Sequence, residues 1–213
     1  MDRIADPGFP CVGAKSALAQ DRIQTVTAHD LRSDQDDLQL LRQVHEFAAQ
    51  AAPDALFTSL ALLFPATPRL DEPAFEASLW SRLQALHALD RRQFDWDPSV
   101  SSDPASADFS MSLGGRAFYV VGLHPGASRR ARQFPCAALV LNLHSQFERL
   151  REDGRYDKLR EAIGARELAY DGSRNPMLAQ HGTASEARQY SGRELDAQWR
   201  CPFAPLPGPR RAH

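Results

Sequence analysis

Apolar positions recur along this chain with two different periods, and each change of period marks an element boundary. Leu38, Leu41, Val44, His45 and Ala48 fall at helical spacing and predict a helix over residues 34–52. Asp36 and Asp37 suit its N-terminal dipole and Pro53 ends it. Phe75, Leu79, Leu83, Leu86 and Leu89 predict a second helix over 72–94, with Pro73 in its first turn. Residues 23–29 alternate and are β-branched, so they read as a strand, and 57–65 form a short apolar run that reads as a buried one. Residues 109–113 and 116–123 flank Gly114-Gly115, a hairpin signal, and 136–142 predict the next strand.

The remaining segments are shorter. Pro10 keeps Phe9 extended, because its ring crowds a helical conformation at the preceding residue, and a helix is expected over 13–20. Residues 144–153 and 156–168 predict two helices separated by Gly154, whereas 95–108 is polar and proline-broken and predicts a long loop. About five strands and four helices, not strictly alternating, predict an α+β fold. The expectation is a single domain over residues 1–203, with helices packed on a mostly antiparallel sheet and a disordered tail at 204–213.

Composition changes this picture little, and charge changes it more. A chain of 213 residues with 43% apolar and 24% charged residues is an ordinary soluble domain able to bury a core. The net charge of −2 offers no attraction to nucleic acid. Its distribution is uneven: residues 1–123 carry 10 basic against 17 acidic side chains, and residues 124–213 carry 15 against 10. The basic part favours an anionic ligand. Lys15 and Lys158 are the only lysines among 25 basic residues, so an arginine here is weaker evidence of function than usual. No apolar run reaches the ~20 residues that span a bilayer, and the first residues lack a signal-peptide segment. Three cysteines without metal-like spacing predict reduced thiols and a cytoplasmic location.

Chemistry-bearing residues concentrate in 122–148, where two predicted strands flank a polar loop. His124 follows the first strand and precedes Pro125. It suits an axial metal ligand or a general base, or a ring that merely bonds a nearby carbonyl. Ser128, Arg129 and Arg132 follow; if the loop turns helical, the two arginines share a face and clamp an anion, and otherwise they form a solvated basic turn. Asn142, His144 and Gln146 alternate at the next strand's end and either line a cleft or mark its solvent side, while His144 also fits a helix start. Further on, Asn175 and the set Glu186, Gln189 and Tyr190, spaced as one helical turn, either face a ligand or pin an irregular segment through mutual hydrogen bonds. Cys11 and Cys201 lie in mirrored tripeptides, Phe9-Pro10-Cys11 and Cys201-Pro202-Phe203. Phosphate-binding loops, nucleophile elbows and HExxH pairs are lacking.

These segments resemble one family. The sequence F-P-C-x-x-A-K from Phe9, G-L-H-P-x-A-S-R-x-A-R from Gly122, N-x-H-x-Q-F-E-x-L-R from Asn142, N-P-M-L-x-x-H-G-x-x-S-E-A-R-Q-Y-S-G-R from Asn175 and W-x-C-P-F from Trp199 is similar to the FPC/CPF-motif, or YqcI/YcgG, family. The resemblance implies a haem-dependent oxygenase that N-hydroxylates a small arginine-like or guanidino substrate with O2. It implies haem b, a small-molecule substrate and an external electron donor such as a reductase, but no nucleic-acid or membrane partner. Under it, His124 is the expected haem ligand with Cys201 second and Cys11 a further thiolate, and Ser128, Arg129 and Arg132 hold the haem's polar groups. Glu186, Tyr190 and His144 become catalytic, and Asn142, Asn175 and Gln189 bind substrate. A non-catalytic haem or small-ligand binding protein is the alternative, and a thiol redox protein using Cys11 and Cys201 a third reading.

Overall fold

The computed structural model describes residues 2–50, 56–177 and 183–208. Pro53, His181 and the end of the expected tail, 209–213, lie outside the described residues. Five strands form one sheet in the order β1-β2-β5-β4-β3: β1 Ile23–Thr27, β2 Ser59–Phe64, β3 Met111–Leu113, β4 Arg116–Leu123 and β5 Ala137–Leu143. Three neighbouring pairs are antiparallel as expected, whereas β1 runs parallel to β2, so the sheet is mixed. The crossover between β1 and β2 contains a helix, which is what a parallel connection requires. Gly114 and Gly115 both have positive φ (63° and 68°), the requirement of the tight hairpin that the sequence predicts.

Among the described residues there are six α-helices: α1 Asp2–Ala5, α2 Val12–Ala19, α3 Asp37–Gln50, α4 Glu72–Asp90, α5 His144–Glu152 and α6 Tyr156–Asp171. Asp71 caps α4 by accepting from the Ala74 amide at 2.8 Å, with Pro73 in the first turn. α3 and α4 cover one face. Leu40, Val44 and Phe47 of α3 and Phe75, Leu79 and Leu83 of α4 form a closed core with Phe118, Val120, Leu139 and Leu141. One expected core residue is misplaced: Leu38 is 69% exposed. At about 100° per residue it falls well off the stripe set by Leu40, Leu41, Val44 and Phe47, whose larger summed apolar surface wins the interior. His45 sits on the stripe's flank and bonds Asp90 at 2.6 Å instead.

The other face carries the alternate residues of the same strands. Phe147 of α5 packs edge-on to Tyr119 of β4 with ring centroids 5.7 Å apart, so α5 covers that side; α6 packs on α5, and α2 on α6. The first residues of the expected tail are hydrogen-bonded along α4: Gln84 pairs with the Ala204 backbone in both directions, the Leu206 amide donates to His87 Nε2, and Arg91 donates to the Gly208 carbonyl. Among the described residues no helix is long and apolar enough to cross a membrane.

Gly122 marks where β4 must pass close to other groups. A Cβ there would lie 2.8 Å from Leu79 Cδ1, Phe75 Cε1 and the Tyr190 carbonyl. Gly122→Ala is therefore expected to destabilise the fold by about 1–3 kcal/mol, read from denaturant midpoints, because the close neighbours include backbone as well as core side chains.

Candidate functional site

β3 is only three residues long, so the outer edge of β4 beyond Phe118 has no strand partner. The segment around a single 3-10 turn, Glu186–Gln189, fills that edge. Ser185 caps the turn by accepting from the Ala187 amide, and the Gly122 amide donates to the Tyr190 carbonyl at 2.7 Å. Arg132, from a second 3-10 turn at Arg130–Arg132, donates to the carbonyls of Gly122, Gln189 and Tyr190. One guanidinium thus ties the strand edge to the late segment.

The fastening places Tyr190 wholly inside the protein. Its ring stacks on Trp80 at 5.4 Å, its hydroxyl accepts from the Met111 amide at 3.1 Å, and it donates to Glu186 Oε1 at 2.6 Å. Ser110 donates to the same carboxyl oxygen at 2.7 Å. Burial pushes the Glu186 carboxyl up to about 7, and these two hydrogen bonds only partly offset it. Since Oε1 already accepts two O–H groups, a proton on this carboxyl belongs on Oε2. That oxygen lies 3.9 Å from His144 Nδ1, within ion-pair range but longer than a hydrogen bond. The other nitrogen, Nε2, is 2.8 Å from Glu148 Oε1, which also pairs with Arg151.

His144 is where this chain of groups reaches solvent. It lines a cleft of about 270 Å³ together with Asp97, Arg116, Ser145, Glu148 and Arg149. The loop side of the cleft is fixed by Asp97, which accepts from the Ser99 and Ala117 amides. Burial raises the Asp97 carboxyl, but those bonds and the charge of Arg116 outweigh it and hold the group below its ordinary range. Carboxyl, phenol, imidazole and cleft in sequence can hold a proton inside the protein and exchange it with solvent.

Beside this chain, the second face of the sheet is incompletely covered. Tyr119, Val121, Val140 and Asn142 stand in paired register on β4 and β5, and all are half-buried. Their counterparts on the opposite face, Phe118, Val120, Leu139 and Leu141, are 0% exposed. Tyr119 donates to Gln189 Oε1 at 2.8 Å, and burial raises its phenol well above the usual range. Cys11 and Arg132 are close enough to Tyr119 to act on it electrostatically. Cys11 is the N-cap of α2, its Sγ accepting from the Ala14 amide at 3.4 Å. Burial raises its thiol above the ordinary range, and the Ala14 and Gly13 amides and the Arg132 charge offset this only in part.

The structure brings some sequence-predicted residues together and parts others. Glu186, Tyr190 and His144 meet as described, and Gln189 and Arg132 adjoin them. Asn142 stays in the sheet, accepting from Ser59 at 2.7 Å and donating to the Tyr119 carbonyl. It shares no strand face with His144 and Gln146, because β5 ends at Leu143 and His144 opens α5; Gln146 pins both backbone groups of Thr58. His124 is 1% exposed and stacks on Phe75 at 4.1 Å, on the α4 face. Ser128 donates to Glu72, and Arg129 binds the Ser173 and Arg174 carbonyls beyond α6. Asn175 donates its backbone N–H to Glu167, and its side-chain oxygen accepts from the Met177 amide. Cys201 packs against the core, and burial raises its thiol to about 12.

Three comparisons bear on what this arrangement is for. Residues 1–204 match the YqcI/YcgG family. The chain belongs to that family. Within it, the chain is 30% identical over 217 residues to a Streptomyces lavendulae protein named "Putative N(omega)-hydroxy-L-arginine synthase DcsA", covering 94% of this chain and 80% of that one. No solved structure matches. In this YqcI/YcgG member the two mirrored tripeptides serve different surroundings: Cys11 faces Tyr119 and Arg132, while Phe203 packs among Trp80, Trp96 and Phe109. Sequence reasoning missed Ser110, Tyr119, Arg116 and Glu148. Only Glu148 carried a local signal, its i+4 position relative to His144.

Proposed function

We propose that this protein N-hydroxylates the guanidino nitrogen of arginine or a closely similar amino acid, using O2, haem b and an external electron donor. The likeness to DcsA supports the reaction class. On the structure, the carrying observation is Glu186, a carboxyl held near neutrality inside the protein, hydrogen-bonded by Tyr190 and Ser110 and facing His144 at the cleft. In such a monooxygenation one oxygen atom of O2 enters an N–H bond to give N–OH. The other leaves as water, taking two electrons from the donor and two protons. Glu186 holds a proton on Oε2, His144 stands between that oxygen and solvent, and Tyr190 and Ser110 fix the carboxyl's orientation.

The residues on the second face suit a haem. Val121 and Val140 offer an apolar wall in the middle of the sheet, and Cys11 a sulfur already accepting backbone N–H groups. Bound there, the group would supply O2 activation, which thiolate ligation favours. His124, the ligand expected from sequence, has its ring enclosed against Phe75, and Cys201 packs against the core away from this face. Cys11 is the donor we favour. Protein produced with haem should show a stoichiometric Soret band that Cys11→Ala abolishes and His124→Ala keeps. The reverse pattern would return the ligand to His124, and no band in the unmodified protein would remove haem from the reading.

A further inference from the structure

The cleft beside His144 has charges that the relay does not use. Arg116 and Arg149 line it, and among the described residues neither guanidinium has a hydrogen-bond or ion-pair partner. Glu152, on the same rim one helical turn from Glu148, is likewise uncommitted, whereas Glu148 is taken by His144 and Arg151. Ser145 and Ser99 add hydroxyls, and Ala117 supplies an uncharged wall. Ala117 and Tyr119 share a face of β4, since side chains two apart on a strand point the same way. The Ala117 wall of the cleft thus lies on the same side of the sheet as Tyr119. At about 270 Å³ it lies just below the range of drug-sized pockets and suits a small metabolite better than a cofactor.

Among the described residues, the Arg149 guanidinium and the Glu152 carboxylate make no hydrogen bond or ion pair, and Arg116 acts on Asp97 only through its charge; around a small cleft these groups are complementary to a zwitterion. We propose that this cleft binds the head group of an α-amino acid, with Arg116 and Arg149 taking the α-carboxylate and Glu152 the α-ammonium. Arginine side chains match a carboxylate in forked geometry, and a charge-assisted pair is stronger than a neutral hydrogen bond. The side chain of the bound amino acid then extends along Ala117 and past His144. As a claim about which part of the substrate is held, this rests on the N-hydroxylation reading; as a claim about amino-acid binding, it does not.

Titration calorimetry with the full chain tests it, using the standard α-amino acids, L-arginine among them, and agmatine, which is arginine without its carboxylate. At least one amino acid should bind, and the double variant Arg116→Gln/Arg149→Gln should weaken that binding by about tenfold or more. Agmatine should bind weakly and equally to both proteins. The variant's melting temperature should stay close to the unmodified protein's, since neither side chain makes a hydrogen bond or ion pair among the described residues. No amino-acid binding, or binding unchanged in the double variant, overturns the proposal. If arginine is hydroxylated with the same KM in both proteins, this inference fails and the proposed function stands. If an amino acid binds through the two arginines yet is never hydroxylated, the reverse holds.

Discussion

Glu186→Gln lowers turnover by about 10²–10⁴-fold, the span expected for losing a positioned acid–base group, without loosening the fold. Glutamine keeps an Oε1 able to accept from both Tyr190 and Ser110, and it turns an N–H group toward His144 where the protonated carboxyl had an O–H. The hydrogen bonds survive while the exchangeable proton is lost. Stability moves the other way. The carboxyl titrates near 7 in the folded protein against an ordinary value of 4.5, so between those values the folded state binds more protons. Its contribution is complete below about 4.5 and declines as pH rises through about 7. The variant lacks this decline and should be at least as stable as the unmodified protein at pH 8. Turnover measured against pH, with denaturant melts at pH 5 and pH 8, checks both halves. Activity retained within a fewfold would remove Glu186 from proton transfer.

Arg132→Met has the largest expected effect on the fold around the site. The guanidinium is buried, donates to three carbonyls on two segments, and is the only side chain that bonds both the β4 edge and the 189–190 backbone among the described hydrogen bonds. Methionine fills similar space but leaves those acceptors without this donor, at a cost of about 3 kcal/mol or more. The Gly122–Tyr190 bond, and with it the positions of Tyr190 and Glu186, depends on that fastening. Turnover should fall together with stability, and urea unfolding should show an earlier midpoint. Arg132→Lys keeps the charge but cannot fork to two segments, so it should recover only part of either loss.

How much of this was legible in the sequence follows the range of the interactions involved. The hairpin at Gly114-Gly115 and the long α4 with its proline-marked start both showed, because local periodicity and turn chemistry carry them. The parallel pairing of β1 with β2 did not, since register and direction between strands leave no local mark. Within the site, Glu186 and Tyr190 stood out by spacing, and their bond is within one turn. Ser110 and Tyr119 reach the same place from another strand, and only the fold brings them there. The pattern ends the strand at Leu123 and places His124 in the loop after it. The alternation of Phe118, Val120 and Gly122 in fact continues through His124 and turns the ring onto Phe75. The arginines divide for a related reason: Arg129 and Arg132 share a turn, but each is taken by carbonyls of a different segment.

The central claim is the reaction, and product analysis tests it most directly. Haem-loaded protein, L-arginine, a chemical or enzymatic reductant and isotopically labelled O2 should yield N-hydroxyarginine carrying one labelled oxygen atom, with the yield collapsing in Glu186→Gln. Stoichiometric haem with no hydroxylated product from arginine or any other guanidino amino acid would contradict it.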